Sequence, residues 1–165
     1  MDLIKTIISM EPITINGVKQ LQDELAQLTG SKRQEVIKAI AEARAHGDLK
    51  ENAEYHAAKE EQSHNEGRIQ EIQSLLANAE IINIEDIEHD NTVVFGCTVK
   101  LKDLETDENK IFKIVGHEEA DIENNLISYK SPVAKELIGK EKDDFVMVNT
   151  PKGEKSYEIT EILYK

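Results

Sequence analysis

Tryptophan is absent from the 165-residue chain, which holds only four tyrosines and three phenylalanines, one cysteine and three prolines. With aromatic residues at 4% and charged residues at 32%, there is little material for a thick core and much for exposed surface. That balance suits an elongated helical part. The lone Cys97 excludes an intramolecular disulfide and a thiolate metal cage, and its apolar setting, "VVFGCTVKL", marks it as a buried, inert thiol. No apolar run reaches the roughly 18 residues that a membrane-spanning helix needs. The opening "MDLIKTIISM" is too short and too weakly basic for a secretory signal, so a soluble, cytoplasmic protein with no membrane partner is expected. Met10 offers a second start, which makes residues 1–9 an extension. Positive charge is scarce as well. A formal net charge of −13 opposes unaided binding to a phosphate backbone, which needs clustered Lys and Arg, so any nucleic acid has to be reached through a partner.

What the chain does contain falls into two periods. Val18, Leu21, Leu25, Leu28, Val36, Ile37, Ile40 and Ala43 lie mostly three and four apart, which marks one face of a helix. Ala58, Gln62, Asn65, Ile69, Ile72, Leu76 and Ala79 repeat the pattern. Both stripes are narrow, so the arms bury them against each other as a long antiparallel coiled coil. An unbroken first arm from Val18 to His46 would run roughly 40 Å. Gly30, in "TGSK", costs about 1 kcal/mol inside a helix, and Ser31 is able to cap a fresh one. The stripe resumes beyond it, so a continuous helix is the expectation.

After Ala79 the acid-rich "EIINIEDIEHDN" reads as a junction. Short β-type runs follow: "TVVFGCTVKL", "KIFKIVG", "NLISY", "DFVMVNT" and "KSYEITEILY", with "PKG" as the last hairpin turn. "SPVAKELIG" has Ser at an N-cap, Pro at N1 and Gly past the end, the grammar of one short helix. The expected class is α+β: an extension over 1–9, an antiparallel coiled-coil hairpin over 10–82, a linker over 83–91, and a small, mainly antiparallel sheet domain with one short helix over 92–165.

The hairpin tip, "HGDLKENAEYH", concentrates Asp48, Glu51 and Glu54 in about one turn. Asp48 and Glu51 have the form of a capping box that starts the second helix. They are also hard oxygen donors suited to Mg²⁺, and two carboxylates are too few to hold it tightly without ligands from elsewhere. Both readings stand on pattern alone. His46 and His56 lack the spacing of a zinc site, and Tyr55 reads first as a packing residue.

The segments "AEARAHGDLKENAEYHAAKEEQ", "EGRI", "NLISYKSPVAKELIGKEKDD" and "TPKGE" closely resemble the Gre family of bacterial transcript cleavage (elongation) factors, over essentially residues 10–164. The resemblance implies a C-terminal domain of FKBP-like fold that docks on bacterial RNA polymerase at the rim of its secondary channel. The hairpin enters the channel, and the polymerase itself, not this chain, cleaves the backtracked nascent RNA 3′ end. Asp48 and Glu51 match the acidic tip pair that helps hold a Mg²⁺ shared with the polymerase, as in two-metal phosphoryl chemistry. The isolated protein is expected to bind no cofactor tightly and to be a monomer.

Arg44 matches a basic position beside the tip, and Lys59 stands where close relatives have Arg, losing the planar fork for phosphate. Asn52 and Tyr55 fall in the matched tip as RNA-proximal or tip-supporting residues. Lys32 and Arg33 with Arg44 either form a modest basic strip toward RNA or a solvated face. Ser131, Pro132, Val133 and Ala134 match the loop of the polymerase contact.

Three rivals are weighed against this reading. A channel-binding inhibitor of the same architecture would differ only in tip chemistry, and the intact "GDLKENAEY" favours activation. A prolyl isomerase would need an aromatic-lined pocket, whereas the aromatics here sit mostly in strands as core. A free-standing nuclease is opposed by the acidity and the incomplete ligand set.

Overall fold

A computed structural model of the chain describes residues 10–47 and 52–165. Asp48 and Glu51, the residues assigned to catalysis and Mg²⁺, lie outside the described residues, as does the 1–9 extension. The chain forms two compact units, Val18–Asn78 and a second made of residues 10–17 with Ala79–Lys165. Its class is α+β, with a helical hairpin and a β-sheet.

In the first unit the apolar seam forms as the spacing requires. On one arm Val36, Ile40 and Ala43 are buried, and on the other Ala58, Asn65, Ile69 and Ile72. Burying each of the larger aliphatic chains stabilises the hairpin by about 1.5–3 kcal/mol. Ile37, expected in the stripe, is 47% exposed, because a narrow seam admits positions three and four apart but not their immediate neighbours.

The expected continuous first helix is corrected at Gly30. Helix α1 (Ile15–Gln27) gives way to a wide π-type turn over Leu28–Lys32, and α2 (Arg33–Ala45) resumes beyond it. Gly30 itself, at φ −95° and ψ −107°, is not helical. Glycine is the weakest ordinary helix former, and other groups take up the disturbed backbone. Thr29 Oγ1 donates to Leu25 O at 2.7 Å, and Asn65 Nδ2 reaches across from the opposite arm to Leu28 O at 3.1 Å. The far side of the tip needs a second correction. Helix α3 (Ala53–Ala77) is capped by Asn52, whose side chain accepts from Tyr55 N–H, and so begins four residues later than an Asp48 capping box would place it.

In the second unit, β1 (Glu11–Thr14) and β2 (Ala79–Ile82) pair in parallel. Residues 10–17 and 79–82, which the expected hairpin over 10–82 includes, therefore belong with the sheet unit, since four-residue strands leave no periodic trace. Glu119 staples the end of β1 to Gly116. Its carboxylate accepts from Thr14 N–H at 3.0 Å, from Gly116 N–H at 2.9 Å and from the Thr14 hydroxyl. Glu11 likewise accepts from Tyr129 O–H and, at 3.1 Å, from Lys130 Nζ.

The main sheet comprises β3 (Thr98–Asp103), β4 (Asn109–Val115), β5 (Leu126–Ser128), β6 (Phe145–Thr150) and β7 (Gly153–Leu163), in the order β5-β4-β3-β7-β6. All neighbours are antiparallel except β4 and β5. Along β3, Val99, Leu101 and Asp103 point inward while Lys100 and Lys102 alternate with them, the period of a half-buried strand. Helix α4 (Pro132–Leu137) closes that face with Ala134 and Leu137, packed in one cluster with Leu101, Ile114, Val148 and Ile159. The run at 92–101 enters the sheet only at Thr98, after a turn at Gly96 whose φ of +89° favours glycine. Ile84, within the expected linker, is buried in the same core. Cys97 is fully buried there, and desolvation pushes its thiol pKa up, which keeps it unreactive.

Candidate functional site: the hairpin tip and the α4 loop

The tip is built by two helix ends and the side chains that tie them. At the end of α2, His46 N–H bonds Ala43 O at 3.2 Å, and Gly47 turns the chain at φ +113°. The next described residue, Asn52, caps α3 by accepting from Tyr55 N–H at 3.0 Å. Through Nδ2 it also donates to Ala43 O at 2.7 Å, so one amide joins both arms. Tyr55 packs with Val36, Ile40 and Ala58, and its ring lies 5.9 Å from the Arg44 guanidinium carbon, within cation–π range. The His56 ring meets Tyr55 edge-on at 5.7 Å.

Arg44 and Lys59 come from different arms and share a groove of about 260 Å³ with Ile37, Ile40, Ala41 and Gln62. Lys59 Nζ bonds Gln62 Oε1 at 2.9 Å. Neither cation meets a carboxylate among the described residues. Lys32 and Arg33 are in a different situation. Lys32 is paired with Glu61, and Arg33 holds Glu66 through two bonds of 2.9 Å. Those bonds raise the pKa of both cations and set acids of α3 against their charge. The three positions of the basic strip therefore divide, with Arg44 on an aromatic ring and the other two on acids.

Three ties escaped the sequence reading. Arg68 grips Glu24 and Glu71, Asn65 bonds Leu28, and Glu119 staples Thr14. Only the Arg68–Glu71 pair, three apart on one helix, had a readable signal. Among the described residues, no group of three or more His, Cys, Asp or Glu side chains comes together to hold a metal ion. No helix among them is long and apolar enough to cross a membrane.

In the sheet unit, the four residues of the docking loop have unequal access to a partner. Ser131 caps α4 by accepting from Ala134 N–H at 3.2 Å. Pro132 is exposed, Val133 is half-buried against the core, and Ala134 is fully buried.

Comparison with known proteins gives two family matches. The model described as transcription elongation factor, N-terminal, covers residues 11–81, and the one described as transcription elongation factor, GreA/GreB, C-term, covers residues 88–164. The transcription elongation factor GreA of Pelagibacter ubique is 52% identical over 154 residues, covering 93% of this chain and 98% of that protein. The Haemophilus influenzae protein of the same description is 53% identical over 153 residues, covering 93% and 97%. Among solved structures, GreA factor homolog 1 of Thermus thermophilus is 27% identical, covers 92% of this chain and 97% of that one, and superposes with a TM-score of 0.40.

Proposed function

The chain belongs to the GreA/GreB family of transcription elongation factors, and from that premise we propose that it rescues arrested transcription by lending its hairpin tip to the active centre of bacterial RNA polymerase. The hairpin enters the secondary channel and stimulates cleavage of the backtracked RNA 3′ end. The polymerase performs the hydrolysis. The sheet unit, read as an FKBP-like docking domain, holds the channel rim through Pro132 and the loop around it. The protein acts as a monomer in the cytoplasm.

The observation that carries this reading is the cap. Because Asn52 starts α3, Asp48 and Glu51 are not required for that task and remain available for chemistry. As hard oxygen donors they fit Mg²⁺, which, bound jointly with polymerase ligands, supplies charge stabilisation for phosphodiester hydrolysis. Carboxylate oxygens also accept hydrogen bonds, here from the attacking water, which they orient. Arg44 and Lys59 face their shared groove without acid partners among the described residues and hold phosphates of the extruded strand. Lys59 does so as a point charge rather than a fork. Tyr55 fixes Arg44 by lying beneath its guanidinium.

The test is a stalled, backtracked elongation complex carrying 3′-labelled RNA, given wild type, Asp48→Asn or Glu51→Gln, with polymerase binding measured in parallel. Each substitution is expected to lower stimulated cleavage on the order of a hundredfold with binding retained. Equal cleavage by the variants would overturn the proposal.

A further inference from the structure

The geometry points to Asn52 as the positioning residue of the tip carboxylates, acting as a strap across the two arms. This inference rests on the proposed function and adds to it a group that need touch neither RNA nor metal.

Two bonds from one planar amide define the strap. Oδ1 accepts from Tyr55 N–H at 3.0 Å, and Nδ2 donates to Ala43 O at 2.7 Å. Its partners fix the orientation of the amide, because a backbone N–H only donates and a carbonyl only accepts. Capping alone does not select this residue, since Ser and Asp cap about as well as Asn. Only Asn combines the cap oxygen with a donor at this reach. The second bond gives Ala43 O, which already accepts from His46 N–H at 3.2 Å, a second and shorter donor from the opposite arm. It also closes the chain between Ala43 and Asn52 into a loop, and Asp48 and Glu51 lie within that loop in sequence. Closing a loop at its base removes conformations from everything inside it.

The contact of Arg44 with Tyr55 reinforces the closure, because Tyr55 is itself packed on Val36, Ile40 and Ala58. A catalytic group displaced by about 1 Å loses on the order of a hundredfold in rate, so an anchor of this kind matters to chemistry beyond its worth to folding.

Ser at position 52 keeps the cap but has neither the reach nor the donor for Ala43 O. Asp keeps the cap and the reach but turns a second acceptor toward that carbonyl. The experiment compares wild type, Asn52→Ser, Asn52→Asp and Asp48→Asn as full chains on backtracked elongation complexes. It measures the maximal stimulated cleavage rate and the factor concentration giving half of it. The thermal midpoint and the ¹⁵N order parameter at Gly47 are read on the free proteins.

Both Asn52 variants are expected to lose about tenfold or more in maximal rate, with half-saturation and thermal midpoint close to wild type and a lower order parameter at Gly47. An unchanged maximal rate, or a loss confined to half-saturation, would overturn the strap. So would a lowered midpoint in both variants, which would reduce Asn52 to a structural cap. If only the Ser variant loses thermal stability, the Asp variant decides. Asp48→Asn separates the two ideas. If it stimulates like wild type, the tip reading itself fails. If it is inactive while the Asn52 variants match wild type, the strap alone fails.

Discussion

Arg68 holds Glu24 through two hydrogen bonds, Nε to Oε1 at 2.8 Å and Nη2 to Oε2 at 3.0 Å, and so ties α3 to α1 on the base side of the Gly30 kink. On the tip side, Arg33 and Glu66 make the corresponding tie between α3 and α2. The kink is therefore bracketed by forked ion pairs.

The Arg68 pair makes hairpin stability depend on acid. Its hydrogen bond to Arg68 lowers the Glu24 pKa below the ordinary 4.5, and Glu11 is lowered by Tyr129 and then Lys130. A carboxylate with a depressed folded-state pKa stabilises fully above its unfolded value and loses that contribution as pH falls through the folded one. Unfolding free energy should therefore fall as pH drops below about 4.5, and Glu24→Gln should flatten part of the slope. Because both partners are about a third exposed, the cycle coupling of Arg68 and Glu24 is expected to be only about 0.5–1 kcal/mol. Urea titrations of the single and double variants measure it.

Asn65 is a buried polar group in an otherwise apolar seam, and its Oδ1 has no hydrogen-bond partner among the described residues. Asn65→Leu should raise stability by about 1 kcal/mol, since an unsatisfied buried acceptor is removed and apolar area is gained. The accompanying loss is a register signal, because a single polar seam residue fixes how two helices align. A rise in thermal midpoint with doubled amide resonances in the hairpin is the expected outcome. A fall would mean that the bond to Leu28 O outweighs the orphan oxygen.

Gly17 and Gly116 leave room for the Glu119 carboxylate. A Cβ at position 17 would overlap the Glu119 carboxyl group, and one at 116 would lie 2.9 Å from Pro12 O. Gly17→Ala should cost about 1–3 kcal/mol, either by overpacking or by releasing the bonds to Thr14 and Gly116. Combined with Glu119→Ala it should be clearly less than additive, because both variants break the same staple. Denaturant unfolding of the cycle tests this.

The α4 loop separates docking from folding. Ser131→Ala removes the cap on Ala134 N–H and should cost about 1 kcal/mol of stability. Exposed Pro132, changed to Ser, should leave the unfolding midpoint nearly unchanged and weaken polymerase binding. Fluorescence anisotropy with labelled protein reads the second effect, and equal affinity would exclude Pro132 from the contact.

Much of this molecule is written in periodicity. Three-and-four spacing located both arms, alternation and turn residues located the five strands of the main sheet, and "SPVAKELIG" located α4 with its Ser131 cap. The tip was legible as a motif because its residues are contiguous. Spacing could not reveal the ends of elements or pairings between distant residues. Asn52 rather than Asp48 starts α3, since several residues in "GDLKEN" can serve as a cap and only the closure onto Ala43 chooses among them.

Local chemistry along the chain was thus sufficient for helix against strand in the two arms and the main sheet, and for the family to which the chain belongs. Tertiary structure alone decided the kink at Gly30, the pairing of β1 with β2, the burial of Ala134 and the division of the cations. Lys32 and Arg33 meet acids 29 and 33 residues away, while Arg44 rests on Tyr55. The physical reason is that helix and strand preferences are set by neighbours within a few residues. A hydrogen bond or ion pair across a hairpin exists only after both arms have been brought together.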